Sequence, residues 1–274
     1  MSVRMQDWMM QGLGSLRYEP TERRVRVMVG DRQVVDTTGA ALVWEPRRVV
    51  PSYAVPVSDL RADLVASSAP ATVVPDGLLH PGIPFGAHSG AGEPADVLVG
   101  GRRLSGAGFR PFDADLAEYV VLDFTAFDAW FEEDVLLVAH PREPYHWVEL
   151  LPSSRRVRIE LDGVVLAESD RPTFVFETSL PTRYYLPRED VRVELAPSTR
   201  RTSCAYKGEA SYYSVPGHAD LAWTYPEPLA GMERLAGLVA FLDDRLDVFV
   251  DDRPRERPIT AVSAALLDEL GVAP

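Results

Sequence analysis

Between Arg156 and Leu161 charged and apolar residues alternate: Arg156, Arg158 and Glu160 fall on one side of an extended chain, Val157, Ile159 and Leu161 on the other. A period of two predicts a strand with one buried face. Asp162-Gly163 follows, and then a second apolar run, Val164-Val165-Leu166-Ala167-Glu168. Asp-Gly between two such runs predicts a hairpin, because both central residues of a type I′ turn need positive φ. Beyond Asp170-Arg171-Pro172 the pattern gives short strands at Thr173 to Glu177, Arg183 to Leu186 and Val191 to Leu195. Their Pro and Asp punctuation is that of an antiparallel all-β domain. Leu235 to Phe241 reads as helix-like and Leu246 to Val250 as a closing strand.

The same plan occurs earlier in the chain. Pro20 to Leu64 can be laid on Pro152 to Leu195 with one single-residue gap and twelve identities, including Arg23-Arg24-Val25-Arg26, Glu45, Tyr53, Pro56 and Arg61. Gly30-Asp31 stands where the second copy has Asp162-Gly163, so the hairpin is kept with different turn chemistry. The copies diverge between Val65 and Gly108, a stretch rich in Gly, Pro, Ala and Ser that reads as a long loop with a short strand at Asp96 to Val99. The second copy has Ala205 to Val215 there, a strand-like run with Tyr206, Tyr212 and Tyr213; the first copy closes with a strand at Val135 to Val138.

The expected division is therefore an N-terminal extension (1–19), a first, degenerate copy (20–139), a join stiffened by Pro141 and Pro144 (140–151), a second copy (152–252) and a tail (253–274). The tail should hold a short helix from Thr260 to Leu270, with Val262, Leu266 and Leu270 on one face and Gly271 as its stop. This helix is expected to pack on its own chain, across the two copies; packing against a second subunit is the alternative, and the expected route to a homo-oligomer if one forms.

Composition narrows the partners. Forty-one acids against 28 bases give a net charge of −13, which repels phosphate backbones and anionic lipid, so neither nucleic acid nor a membrane surface is expected. A single cysteine excludes an intrachain disulfide and the paired-cysteine zinc sites, and neither a metal nor another cofactor is expected. No apolar run has the length of a signal peptide core or a membrane span, and the expected setting is a soluble protein of the cytoplasm.

The candidate chemistry lies in Thr202-Ser203-Cys204-Ala205-Tyr206-Lys207-Gly208. It holds the only cysteine and the only lysine; the other 27 bases are all arginine. Lysine is a compact charge whose amine is freed readily by burial, and an ammonium beside a thiol favours thiolate. Chance survival of one lysine beside a core cysteine is the plainer alternative. On a strand Thr202, Cys204 and Tyr206 share one face and Lys207 the other. Bringing Cys204 and Lys207 together therefore requires a turn or bulge at Lys207-Gly208. Around them we place Glu177, Tyr184, Tyr212, Trp223 and Tyr225, whose rings could sandwich a planar ligand or equally form ordinary core. Glu177 could face inward and pair with Lys207, or end its strand in solvent. His140 and His146 read first as anchors of the stiff join.

As a set, Arg156 to Glu168, Phe176-Glu177-Thr178, Arg183-Tyr184-Tyr185-Leu186-Pro187-Arg188-Glu189-Asp190, Thr202-x-Cys204-x-Tyr206-Lys207-Gly208 and Ala222-Trp223-x-Tyr225-Pro226 resemble the bacterial family known as domain of unknown function 427, here in tandem. The resemblance implies a β-tent fold, two small antiparallel sheets leaning together with a pocket between them. Some relatives of that fold hold zinc through two cysteine pairs, a site that a chain with one cysteine is expected to lack. A nucleotidyltransferase label attached to the family finds no support in the residues. Gly14-Ser15 lies far from the nearest paired acids, Asp113-Ala114-Asp115, and Lys207 is not followed by Ser or Thr as in a phosphate loop.

The expectation is a mainly β protein of two tandem β-tent-like domains that binds a small planar or carbonyl-containing metabolite in the second copy. Lys207 and Cys204 are its candidate catalytic groups; Glu177, Tyr184, Thr202, Tyr206, Tyr212, Trp223 and Tyr225 are its candidate ligand contacts. A non-catalytic binding module and an interaction scaffold built on the Val65 to Gly108 stretch are the alternatives.

Overall fold

In a computed structural model, which describes residues 2–257 and 260–269, the alternating run becomes one strand of a hairpin turned by Asp162 and Gly163. Both turn residues have positive φ, 51° and 79°. The chain divides into two units, one ending at Glu143 and the next beginning at Pro144. After a helix α1 (Met5–Gln11) the first carries β1 (Arg17–Pro20), β2 (Val25–Val29), β3 (Arg32–Thr37), β4 (Ala41–Trp44), β5 (Ser52–Pro56), β6 (Asp63–Ala66), β7 (Gly92–Val99), β8 (Arg102–Pro111), β9 (Tyr119–Leu122), β10 (Ala129–Glu132) and β11 (Val135–Leu136). The second repeats the series as β12 (Val148–Pro152), β13 (Val157–Leu161), β14 (Val164–Ser169), β15 (Thr173–Glu177), β16 (Arg183–Pro187), β17 (Ala196–Cys204), β18 (Gly208–Val215), β19 (His218–Thr224), β20 (Leu238–Phe241), β21 (Asp247–Val250) and β22 (Arg253–Pro254), then α2 (Ala261–Glu269).

Each unit builds a seven-stranded and a four-stranded antiparallel sheet with the same strand order. The large sheets run β1-β4-β5-β9-β8-β7-β6 and β12-β15-β16-β20-β19-β18-β17. The small ones run β11-β10-β2-β3 and β22-β21-β13-β14. Even the hairpin irregularity is duplicated, between Val27 and Met28 in one unit and between Ile159 and Glu160 in the other. The protein is mainly β, with few and short helices, and no described helix is long and apolar enough to cross a membrane.

Between the two sheets of each unit lies its main core. In the second unit Val157, Ile159, Leu166, Phe174, Tyr184, Leu186, Val239, Phe241 and Val248 fill it. A smaller cluster covers the opposite face of the large sheet: Val175, Tyr185, Ala210, Tyr225, Leu235 and Ala240. The period-two geometry of a strand explains the split, since Phe174 and Val175, Tyr184 and Tyr185, and Val239 and Ala240 are neighbours that point to opposite faces.

Several expected elements differ. Val191 makes only an isolated bridge to Ala167, and the strand starts five residues later, at Ala196. Leu235 to Phe241 is not a helix: a 3-10 turn (Glu233–Leu235) is followed by β20. Periodicity cannot separate helix from strand in so short an apolar run. The supposed loop of the first copy is strand again from Gly92, as β7 and β8. The strand expected at Val135 to Val138 is the two-residue edge β11, and β10 takes the closing position. The stretch read as a join supplies β12, paired with β15. Thr260 caps α2, its hydroxyl accepting from the Ser263 amide at 3.0 Å while Ser263 Oγ accepts from the Thr260 amide at 2.9 Å. Leu270 and Gly271, expected to end that helix, lie outside the described residues.

Candidate functional site

Glu177 ends β15 on the face that carries Val175 and Tyr185, away from the main core. On the same sheet β17 and β18 form a hairpin closed by the Cys204–Gly208 pair, so Ala205-Tyr206-Lys207 is its loop. The turn that the sequence required for Cys204 and Lys207 to meet is this one. Gly208 makes it possible with φ +105°, and a Cβ there would stand 3.2 Å from the Glu227 carbonyl oxygen. The Leu229 amide donates to the Lys207 carbonyl at 3.1 Å, which pins the loop.

The loop lays Lys207 across Glu177, and Nζ donates to Oε2 with both side chains buried. The imidazole of His146, from the segment before β12, reaches the other carboxylate oxygen at 3.1 Å and stacks on Tyr206 with ring centroids 4.4 Å apart. Burial by itself would raise the Glu177 carboxyl, but the Lys207 ammonium and the His146 hydrogen bond outweigh it and hold the group at about 2. Burial likewise pulls Lys207 down, and the Glu177 carboxylate, with Cys204 and Tyr185 nearby, reverses the shift and leaves the ammonium above its ordinary range. Burial pushes Tyr185 up to about 12 against the pull of Lys207, and drives Tyr225 up as well. The cluster thus holds a fixed ion pair among neutral phenols.

Aromatic rings frame it. Trp223 donates from Nε1 to Tyr185 Oη at 3.0 Å, edge to face with that ring, and Tyr212 lies 6.2 Å from Trp223, centroid to centroid. Thr202 and Tyr212 share a hydroxyl hydrogen bond of 3.1 Å, and the Arg200 guanidinium sits 5.1 Å over Tyr212. Tyr225 is buried, whereas Cys204, Tyr206, Tyr212 and Trp223 are partly open and Thr202 is exposed. Of the expected site residues the structure gathers all but Tyr184. Tyr184 turns into the main core, edge to face on Phe174, and Tyr185 takes the place foreseen for it. Sequence reasoning also underweighted His146 and missed Arg183, which faces Val175 across the strands and pairs with Asp243 and, at 2.6 Å, Asp244. His140 lies in the first unit, its Nδ1 2.8 Å from the Pro141 carbonyl.

The first unit shows the same carboxylate in a different setting. Glu45 is buried, accepts from the Ser89 and Gly90 amides at 2.9 Å each, lies 3.0 Å from His88 Nδ1 and has the Arg48 guanidinium 3.7 Å away. Arg48 also donates to the carbonyls of Ile83, Pro84, Phe85 and Ala87, and His88 stacks on Phe109 at 3.9 Å. A buried Glu with a histidine and a cation therefore belongs to both copies. In the first it anchors the segment between β6 and β7; only in the second is the cation a lysine beside open aromatic rings.

Fold and cluster together define a duplicated two-sheet β protein with a buried carboxylate–cation group at the same place in each copy. The chain belongs to the family of domain of unknown function 427 (DUF427), which it matches over residues 17–76 and 149–252, more than half its length and part of each copy. No protein of curated function matches it.

Proposed function

We propose that the second unit binds a small planar metabolite carrying a carbonyl or similar acceptor, with Lys207 as a fixed donor and the rings of Trp223, Tyr212 and Tyr206 as walls. The observation that carries this reading is the buried ammonium. Lys207 has three N–H groups. Among the described residues it donates to Glu177 alone, so hydrogens remain for an acceptor. A buried, incompletely satisfied charge is expensive unless a partner is provided, and the partly open rings beside it suit a flat ligand. The raised proton affinity of Lys207 favours recognition over attack: the ammonium can donate or orient, but it is not the free amine that nucleophilic chemistry needs.

Cys204 gives the readout, being the only thiol and partly open within the cluster. Nicotinamide and uracil serve as planar acceptor-bearing probes in ligand-observed NMR, with haloacetamide labelling of Cys204 followed by intact mass. Binding of either probe should slow labelling and be weakened about tenfold or more in Lys207→Met, with partial retention in Lys207→Arg. Binding that is equally strong in Lys207→Met and in Trp223→Leu, or that leaves labelling unchanged, rules the site out.

A further inference from the structure

The first unit contains a groove of about 690 Å³ where the free edges of its two sheets meet. Arg32, Gln33 and Val34 of β3 form one wall, Leu60 to Asp63 another, and Leu98, Val99 and Gly100 of the β7–β8 turn the third. Val34, Leu60 and Val99 are buried members of the main core and make an apolar floor. The rim carries two guanidiniums, Arg32 and Arg61, and one acid, Asp63. Arg32 lies against Gly100, where an added Cβ would come within 3.0 Å of its Nε, so the glycine makes room for it.

The duplicated unit serves as an internal control. In both units the backbone amide of the second-wall arginine donates to the edge strand at 2.8 Å, Arg61 to Val34 and Arg192 to Leu166. In the second unit the Arg192 side chain is neutralised by Glu168, which also holds Arg156. In the first, the matching acid is one methylene shorter. Asp36 is taken bidentately by Arg24 at 2.7 Å and by Gln33 Nε2 at 2.8 Å, which leaves Arg61 out of the ion pair. The place of Arg32 is held in the second unit by an exposed valine, Val164. Among the described residues neither Arg32 nor Arg61 has a carboxylate within ion-pair distance, although acids outnumber bases by thirteen across the chain. Arg61 is near enough for its charge to act on Asp36 but makes no direct contact with it, and two guanidiniums free of direct ion pairs over an apolar floor suit an oxyanion joined to an apolar body, because arginine matches carboxylate and phosphate with paired N–H groups.

We infer that this groove binds an amphipathic organic anion, a carboxylate or phosphate head held by Arg32 and Arg61 with its hydrocarbon portion on Val34, Leu60 and Val99. The site is independent of the Lys207 cluster. The test uses four probes on the full chain, hexanoate, hexyl phosphate, hexylamine and inorganic phosphate, followed by amide chemical shifts. One or both of the amphipathic anions should move the amides of Val34, Ala62, Val99 and Gly100, and comparison of the two separates a carboxylate from a phosphate head. Hexylamine should leave those amides in place, and inorganic phosphate should bind more weakly than hexyl phosphate. Arg32→Gln/Arg61→Gln should weaken the best probe about tenfold or more, whereas Arg192→Gln should not. Gln33→Val/Asp36→Glu, which rebuilds the second unit's arrangement, should weaken it by recapturing Arg61 with both arginines still present. Equal shifts with hexylamine, no shift with any probe up to about 10 mM, or undiminished binding in the double arginine variant overturns the inference.

Discussion

Replacing Lys207 by Met keeps much of the side chain's bulk and removes its charge. What remains is a carboxylate in a buried site with, among the described residues, only His146 as a side-chain partner. Removing one partner of a buried ion pair typically destabilises by about 3–5 kcal/mol, because the other charge is left uncompensated. The structure gives a similar scale: holding Glu177 at about 2 rather than an ordinary 4.5 is equivalent to roughly 3 kcal/mol in favour of its charged form. The expected deficit at pH 7 is therefore about 3 kcal/mol, which for a unit of this size lowers the melting temperature by roughly 10 °C. Urea unfolding followed by far-ultraviolet circular dichroism measures it, the second unit's transition being the one that moves. Adding Glu177→Leu to Lys207→Met should return part of the loss, since an unpaired charge is replaced by an apolar group. The single-variant deficit should also narrow between pH 7 and 5 as Glu177 gains a proton. A deficit below about 1 kcal/mol, or a double variant as unstable as the sum of the singles, would show that the pair is solvated and the site reading mistaken.

Further expectations follow from the same geometry. In the wild type Glu177 has a folded value below its unfolded one, so its stabilisation is complete above about 4.5 and is lost as pH falls towards about 2; Glu177→Gln should flatten that part of an acid titration. Gly208→Ala forces a side chain into a backbone with φ +105° and against the Glu227 carbonyl, and should destabilise by about 1–3 kcal/mol in a urea titration. Tyr185→Phe removes the acceptor of Trp223 Nε1, at about 1 kcal/mol, and should alter both Trp223 emission and probe binding, whereas Tyr184→Phe, on the other face, should alter neither.

The duplication, the Asp162-Gly163 hairpin and the mainly β architecture were legible because each leaves a local mark: identities in register, a turn dipeptide, a period of two. The choice between Tyr184 and Tyr185 left none. Strand β16 is buried along Tyr184 to Pro187, so no polar alternation shows which ring faces which side, and only the cross-strand pairing of Tyr185 with Thr173 and Arg183 with Val175 settles it. His146 was hidden for a different reason. Its partner Glu177 is 31 residues away, and the stretch that carries it has the prolines of a connector although its end is a strand of the sheet. The groove in the first unit escaped because it depends on one methylene, Asp36 against Glu168, whose effect appears only when both side-chain networks are laid side by side. Its presence also means that the first copy, although it lacks Lys and Cys, has features the second does not share.

The strand order carries a consequence for how each unit comes into being. β20 lies at the centre of its large sheet, between β16 and β19, and β21 lies between β13 and β22 in the small one. These strands are among the last of their copy to be synthesised, as β9 and β10 are in the first. Until they emerge from the ribosome, the hairpins made earlier have open inner edges with no partner, which are sites for pairing with other chains. Completion of each copy is therefore a late, latch-like event, and a premature stop just before Leu238 should yield an aggregating fragment instead of a slightly smaller domain.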